Sequence, residues 1–287
     1  MRPPRGLRRH ATPVGAAAAL ALLAAVAAGA PAASGGFSAN LTNSTDTAGT
    51  ANHFTCQTAI AADKTAALFQ WPLADATGST SANDVSGNAR TGTYVGSVVA
   101  DGTAPLGCRR DGGSAWRLDG TTSAAYYGTR ITNPQTFTVE ATFQTTVKGG
   151  KIIGFGNNST TPSGNYDRHV YVGSDGTLVF GVYNGGYRTI TSTQVVNDGA
   201  WHHVAATLSS AGMKLYLDGR QVAANAAAAY TAAENTNGYW HVGYDTIGAS
   251  WPKAPTSAYF SGRLRNAAVY TVELSAQQIA DHAAPTF

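Results

Sequence analysis

Glutamate, cysteine, clustered basic residues and long apolar runs are all scarce in this chain, and each scarcity closes off a class of function. Only three glutamates occur in 287 residues, Glu140, Glu234 and Glu273, and none has a second acid two or four positions further on. The usual chemistry of glycoside hydrolysis needs two carboxylates flanking the scissile bond, so that reading loses its most direct motif. No G-x-S-x-G elbow, H-E-x-x-H pair or phosphate loop is present either. Phosphate-rich partners require clustered Lys and Arg, and no such cluster appears, which argues against nucleic acid. Beyond residue 32 no stretch approaches the 18 or so consecutive apolar residues of a membrane span.

The first 32 residues read as a targeting segment. Arg2, Arg5, Arg8 and Arg9 precede an Ala/Leu run from Gly15 to Ala30, and Ala30-Pro31-Ala32 follows as a small-residue cleavage site. This is the order of a secretory signal peptide, so a secreted protein is expected, with cell-surface association left open. Removing the segment takes away four of the 19 basic residues and none of the 16 acidic ones. That leaves 15 against 16, a net charge of −1. The basic pI of the full sequence therefore belongs largely to the targeting segment.

Two cysteines remain, Cys56 and Cys108. In an exported chain one pair most simply forms one disulfide. Residues 33–65, and above all the small, polar stretch from Gly35 to Thr50, have little to bury and are expected to form a flexible leader. The sequons at Asn40, Asn43, Asn157 and Asn158 are given no weight.

From residue 66 to 287 the turn signals come at short intervals, as in Asp119-Gly120, Asp175-Gly176, Gly185-Gly186, Asp198-Gly199 and Asp218-Gly219. Runs rich in Val, Thr, Tyr and Phe lie between them, the signature of an all-β sandwich. Phe137, Val139, Ala141 and Phe143 alternate with Thr138, Glu140, Thr142 and Gln144, which predicts one apolar and one polar face. Glu140 is thus expected to face outward and alone. A hairpin is predicted from His169–Gly173 and Thr177–Tyr183 around Ser174-Asp175-Gly176. One short helix should begin at Ser275, with Gln278 completing a capping box and Leu274 and Ile279 a hydrophobic staple.

The densest signal is NDGAWHHVAATLSSAGMKLYLDGR, Asn197 to Arg220. Asn197, Asp198 and Gly199, then Asp218 and Gly219, tolerate the positive φ of tight turns. Val204, Ala206 and Leu208 alternate with Ala205 and Thr207, and Leu215 and Leu217 with Tyr216. His202 and His203 are strand neighbours on opposite faces, so they cannot chelate one metal ion and read as structural.

This hairpin resembles the signature of laminin G-like modules in the concanavalin A-like lectin/glucanase superfamily. Three other segments carry the same likeness: Trp71-Pro72-Leu73 with Asp84 to Asn88; Leu118-Asp119-Gly120 with Phe137 to Phe143; and Tyr239 to Gly243 through Trp251-Pro252, Tyr259 to Gly262 and Val269-Tyr270. The chain is similar to modules attached to secreted actinobacterial proteins. The resemblance implies a two-sheet antiparallel jelly-roll sandwich with a short C-terminal helical turn. It also implies binding without catalysis, of a carbohydrate or an extracellular protein, or else a structural or adhesive surface role with no small ligand.

Relatives often hold a structural calcium ion, but Arg265 and Asn266 stand where the family commonly has Asp and Glu. The resemblance therefore implies a weakened calcium site, resting on Asp119 and Asp245, and no required cofactor. Ligand contact is expected from aromatic residues: Tyr171 and Tyr183, opposite in parity to the core-facing valines, then Tyr187, Trp240, Tyr244 and Trp251. For each Trp, filling the core or pinning a loop is the favoured reading, whereas for the tyrosines the two readings stand even.

Overall fold

The computed structural model describes residues 41–42, 47–48, 53, 55–108, 110–160 and 162–284. The targeting segment, its cleavage site and most of the leader lie outside these residues. Two compact units are present, residues 1–50 and 51–287. In the first, strands β1 (Leu41–Thr42) and β2 (Thr47–Ala48) pair antiparallel.

The second unit is a two-sheet antiparallel sandwich, the jelly-roll architecture expected. One sheet runs β13 (Tyr187–Val195), β12 (Thr177–Tyr183), β11 (Tyr166–Val172), β10 (Lys151–Gly156), β17 (Tyr239–Val242), β8 (Ala124–Tyr126), β5 (Gly92–Val95) and β4 (Ser81–Ala82). The facing sheet runs β16 (Arg220–Asn225), β15 (Gly212–Leu217), β14 (Trp201–Ser209), β9 (Phe137–Gln144), β18 (Ser261–Tyr270), β7 (Ala115–Asp119) and β6 (Val99–Asp101). Strand β3 (Ala67–Trp71) also pairs with β18. Phe137, Val139, Ala141 and Phe143 point between the sheets, as their alternation predicts, and join Trp71, Phe155 and Trp240 in the main core.

The predicted hairpin forms as β14 and β15, with Val204 opposite Leu217, Ala206 opposite Leu215 and Leu208 opposite Met213. Asp218 and Gly219, at φ 52° and 76°, turn the chain into β16. Asp218 also accepts a hydrogen bond from the His203 amide at 2.9 Å. The positive φ at both positions is why an Asp-Gly pair occupies this turn.

The polar face of β9 is not solvated. Helix α2 (Ala276–Ala283) covers its Glu140 end and starts at Ser275, whose hydroxyl accepts from the Gln278 amide while the Gln278 side chain accepts from the Ser275 amide. Leu274 and Ile279 join Tyr216, Tyr270 and Ala205 in a second, smaller core beneath it. The amphipathic helix thus closes the outside of the sandwich.

A second helix corrects the expected leader boundary. α1 (Cys56–Ala62) is capped by Thr55, whose hydroxyl accepts from the Thr58 amide. It uses Thr-x-x-Thr where a capping box usually has Glu or Gln, and its short Ala-rich sequence gave little signal. Cys56 is bonded to Cys108, with a Cα–Cα distance of 5.8 Å, and Ile60 packs against the bridge. Residues 55–65 are therefore part of the compact unit.

Candidate binding cleft

On the outer face of the first sheet, the β12–β13 hairpin brings two tyrosines together. Asn184, Gly185 and Gly186 form its turn, so Tyr183 at the end of β12 pairs directly with Tyr187 at the start of β13. Their rings meet edge to face, with centroids 5.5 Å apart and planes at 72°. Trp251, from the segment between β17 and β18, meets Tyr187 at 4.9 Å and 61°, and rests on buried His169 at 4.2 Å. Gly181 makes room for that indole: a Cβ there would lie 2.6 Å from Trp251 Cζ3.

These three side chains, with Tyr166, Asn165, Gly164 and Glu234, line a cleft of about 300 Å³. Glu234 is placed by its backbone. Its amide donates to the Tyr183 carbonyl at 2.6 Å, and its carbonyl accepts from the Arg168 guanidinium. Arg168 is fully buried, ion-pairs with Asp167, and also donates to the Pro134 carbonyl at 2.9 Å. The Asp167 carboxyl in turn accepts from the Tyr183 amide at 3.1 Å. Burial pushes this carboxyl up to about 6 against the pull of Arg168. The Glu234 carboxylate itself takes no hydrogen bond and no ion pair among the described residues.

Behind Tyr166 lies a buried polar cluster. The Lys151 ammonium sits 5.4 Å from the Tyr166 ring centroid, donates to the Thr246 carbonyl at 2.8 Å and lies 3.9 Å from Asp245 Oδ2. Burial pushes this lysine down to about 8, against the attraction of Asp245 and Asp167. His169 stays well below its ordinary range, through burial and then repulsion from Lys151.

Of the six aromatic residues singled out from sequence, only Tyr183, Tyr187 and Trp251 line the cleft, and Trp251 is itself largely buried, pinning its segment onto His169. Tyr171 is on the expected face but fully buried, because the segment carrying Trp251 covers it and the Tyr171 hydroxyl donates to the Pro252 carbonyl. Trp240 fills the core against Phe155 and Phe137, at 5.1 and 5.3 Å. Tyr244 is half-buried and stacks on Tyr259 at 3.5 Å and 6°, away from the cleft.

Tyr166 and Glu234 were not found from sequence. Strand β11 carries one extra residue opposite β10: Ile153 pairs with Val170, but Phe155 pairs with Asp167. The bulge falls at Arg168, whose φ is 47°. It shifts the alternation, so Tyr166 shares the outer face with His169 although simple counting from Val170 places it inside. Glu234 sits in an irregular segment with no periodicity to mark it.

Glu140 is corrected as well. It is fully buried under α2, where Tyr270 donates to it at 2.6 Å, His282 Nδ1 lies at 2.9 Å and His203 Nε2 at 3.3 Å. His202 faces the other way, 2.9 Å from Asp218 and 3.2 Å from Asp198.

The residues expected to hold calcium do not fit a divalent ion. Asp119 is engaged by the amides of Thr121, Thr122 and Ser123, its own turn. Asp245 Oδ1 accepts from the Ser163 and Thr246 amides, and its other oxygen faces Lys151. Arg265 is fully buried and donates to the Gly112 carbonyl. Among the described residues, neither aspartate belongs to a cluster of three His, Cys, Asp or Glu ligand atoms.

The sequence from Leu118 to Ala280, over half of the chain, matches the family profile described as the concanavalin A-like lectin/glucanases superfamily. The chain belongs to this superfamily. Comparison with curated proteins finds no match. Among solved structures, this superfamily member resembles the binding domain of Paraclostridial Mosquitocidal Protein 1, at 13% identity and a TM-score of 0.53 over 76% of this chain. It also resembles the receptor-binding domain of botulinum neurotoxin type G, at 11% identity and a TM-score of 0.51 over 76%. A third likeness is to botulinum neurotoxin type C, whose cell entry depends on interaction with two ganglioside molecules, at 14% identity and a TM-score of 0.51 over 77%. The alignments cover 51% of each of these structures, so the chain spans about half their length. At such identities the likeness concerns the fold.

Proposed function

We propose that this superfamily member is an exported, non-catalytic module that binds carbohydrate in the cleft between Tyr183, Tyr187 and Trp251. One observation carries the reading: three sequence segments deliver aromatic rings to a single open cleft rimmed by Asn165 and Glu234. Aromatic walls with a few polar groups at the rim suit an amphipathic ligand such as a sugar. The type C neurotoxin depends on two ganglioside molecules for cell entry, but the likeness covers half of that structure and concerns the fold, which does not fix the ligand. Export is supported by the signal-like N-terminus and by the Cys56–Cys108 disulfide, which suits an oxidising compartment.

Binding without turnover is supported by the carboxylates. Among the described residues Glu234 is the one acid lining the cleft, whereas the usual hydrolytic chemistry requires two. Glu140 is enclosed beneath α2. No metal enters this reading, because neither Asp119 nor Asp245 offers a free ligand set.

A glycan array probed with the mature chain tests the proposal, alongside a Tyr183→Ala/Tyr187→Ala double variant. Selective retention that the double variant loses, with its melting curve unchanged, supports it. A blank array with concentration-dependent self-association would instead favour a structural or adhesive component. Reducing ends released from a polysaccharide would make it an enzyme.

A further inference from the structure

The rings of the cleft do not form one flat platform. Tyr183 and Tyr187 meet at 72°, and Tyr187 and Trp251 at 61°. A single flat face supports an extended sugar ring, whereas steeply angled rings wall in a compact group. Ring faces carry negative potential, and an open one, as at the exposed Tyr187, favours a cation, with ammonium groups the best-known guests. Glu234 adds a carboxylate to the same cleft; among the described residues nothing hydrogen-bonds or closely ion-pairs with it, and its attraction reaches only the buried Arg168, already paired with Asp167.

The nearby cations are committed elsewhere. Arg168 is paired with Asp167 and hydrogen-bonded to the Pro134 and Glu234 carbonyls. Lys151 lies behind the Tyr166 ring beside Asp245. Lys253 pairs with Asp175 at 2.7 Å. Arg188 follows Tyr187 on β13 and so points to the opposite face. Counting these groups at neutral pH, the surroundings of the cleft favour a positively charged guest.

We propose that the cleft selects a sugar bearing a protonated amine, seated between Tyr183, Tyr187 and Trp251 with Glu234 as its counter-charge. The inference rests on the carbohydrate reading above and narrows it to amino sugars. An N-acetylated sugar of the same shape lacks the charge and gains nothing from Glu234.

Calorimetry with glucosamine oligomers and N-acetylglucosamine oligomers of equal length, at about pH 7 where Asp167 is ionised and the free amine is still largely protonated, separates the two. The amine-bearing oligomer should bind roughly tenfold more tightly, as expected for one desolvated charge-assisted contact. Raising ionic strength should weaken this oligomer selectively. Glu234→Gln keeps the side-chain shape and the backbone contacts, and should erase the preference without moving the melting temperature. Tyr187→Ala, at a ring 42% exposed, should abolish binding of the amine-bearing oligomer and so tests the cage independently. Equal binding of both oligomers, or a preference surviving in Glu234→Gln, would overturn the amine selection while leaving carbohydrate binding intact. Retention of neutral glycans alone would overturn it equally. Failure of every glycan to bind would defeat both readings at once.

Discussion

Glu140 and His282 lie 2.9 Å apart although 142 residues separate them, and their contact fastens the last helix to the middle strand of its sheet. The same imidazole reaches Asp63 at the end of α1, at 3.0 Å. His282 thus ties α2 both to β9 and to the N-terminal helix. Burial opposes its charge, but attraction and hydrogen bonding from Glu140, then from Asp63, outweigh it and push the histidine up to about 9. Glu140 is correspondingly held well below the usual carboxylate range by His282 and His203, despite its burial.

This arrangement gives the fold an alkaline limit. A histidine with a raised folded-state pKa contributes stability that is fully present below its unfolded value near 6.5, and loses it as pH rises through about 9. The melting temperature should therefore decline between those values. Both sides of the imidazole face acids, Glu140 and Asp63, while the Tyr270 ring packs at 5.9 Å. His282→Ala should flatten the decline and cost about 3 kcal/mol, because it leaves a buried carboxylate short of its partner. Thermal melts of both proteins across this pH range check the sign; a wild-type melting temperature that rises instead would show the histidine to be neutral.

Removing the disulfide should be comparably costly. The bridge joins positions 52 apart and constrains the unfolded chain, worth about 4 kcal/mol on the chain-entropy account. Denaturant unfolding of Cys108→Ser measures it. Intact-mass analysis of secreted protein with alkylation should find a start near Ala33 and no reactive thiol; two alkylated cysteines would contradict the bond.

Calcium should leave stability unchanged. A ligand that binds only the native state raises its melting temperature, and here the Asp119 and Asp245 oxygens are already engaged by backbone amides and Lys151. Melts in chelator and in excess calcium should superimpose. A clear upward shift with calcium would reveal a site built from other oxygens.

Gly181→Ala should damage the cleft more than the sandwich. The added Cβ would fall 2.6 Å from Trp251 Cζ3, and the indole, buried to 4% exposure, is rigid and must move. Ligand retention should drop with a change in tryptophan fluorescence, while far-ultraviolet circular dichroism stays unaltered. Full retention would place the binding surface elsewhere.

The sandwich was legible because its signals are local and periodic. The alternation in β9, the turn at Asp218-Gly219 and the capping box at Ser275 each state their structure within a few residues. The cleft was legible only where its residues obeyed the same alternation, as Tyr183 does. Tyr171 shows the limit: its parity is right, but a cover contributed from some 80 positions away, at Pro252, buries it. Glu140 fails for the same reason, since the histidines and the helix that enclose it come from distant segments. α1 escaped because its cap uses a second threonine and its apolar face is barely a turn and a half long.

The extra residue at Arg168 has one more implication. Upstream of it, which side chains of β11 reach the cleft and which reach the interior is decided by a count, not by their chemistry. Losing that one residue would turn Tyr166 inward and carry its neighbours with it, while the rest of the sandwich kept its pairing. A profile that scores the strands residue type by residue type could still match such a shortened chain, so two proteins with nearly identical sequences here could present entirely different surfaces at this cleft.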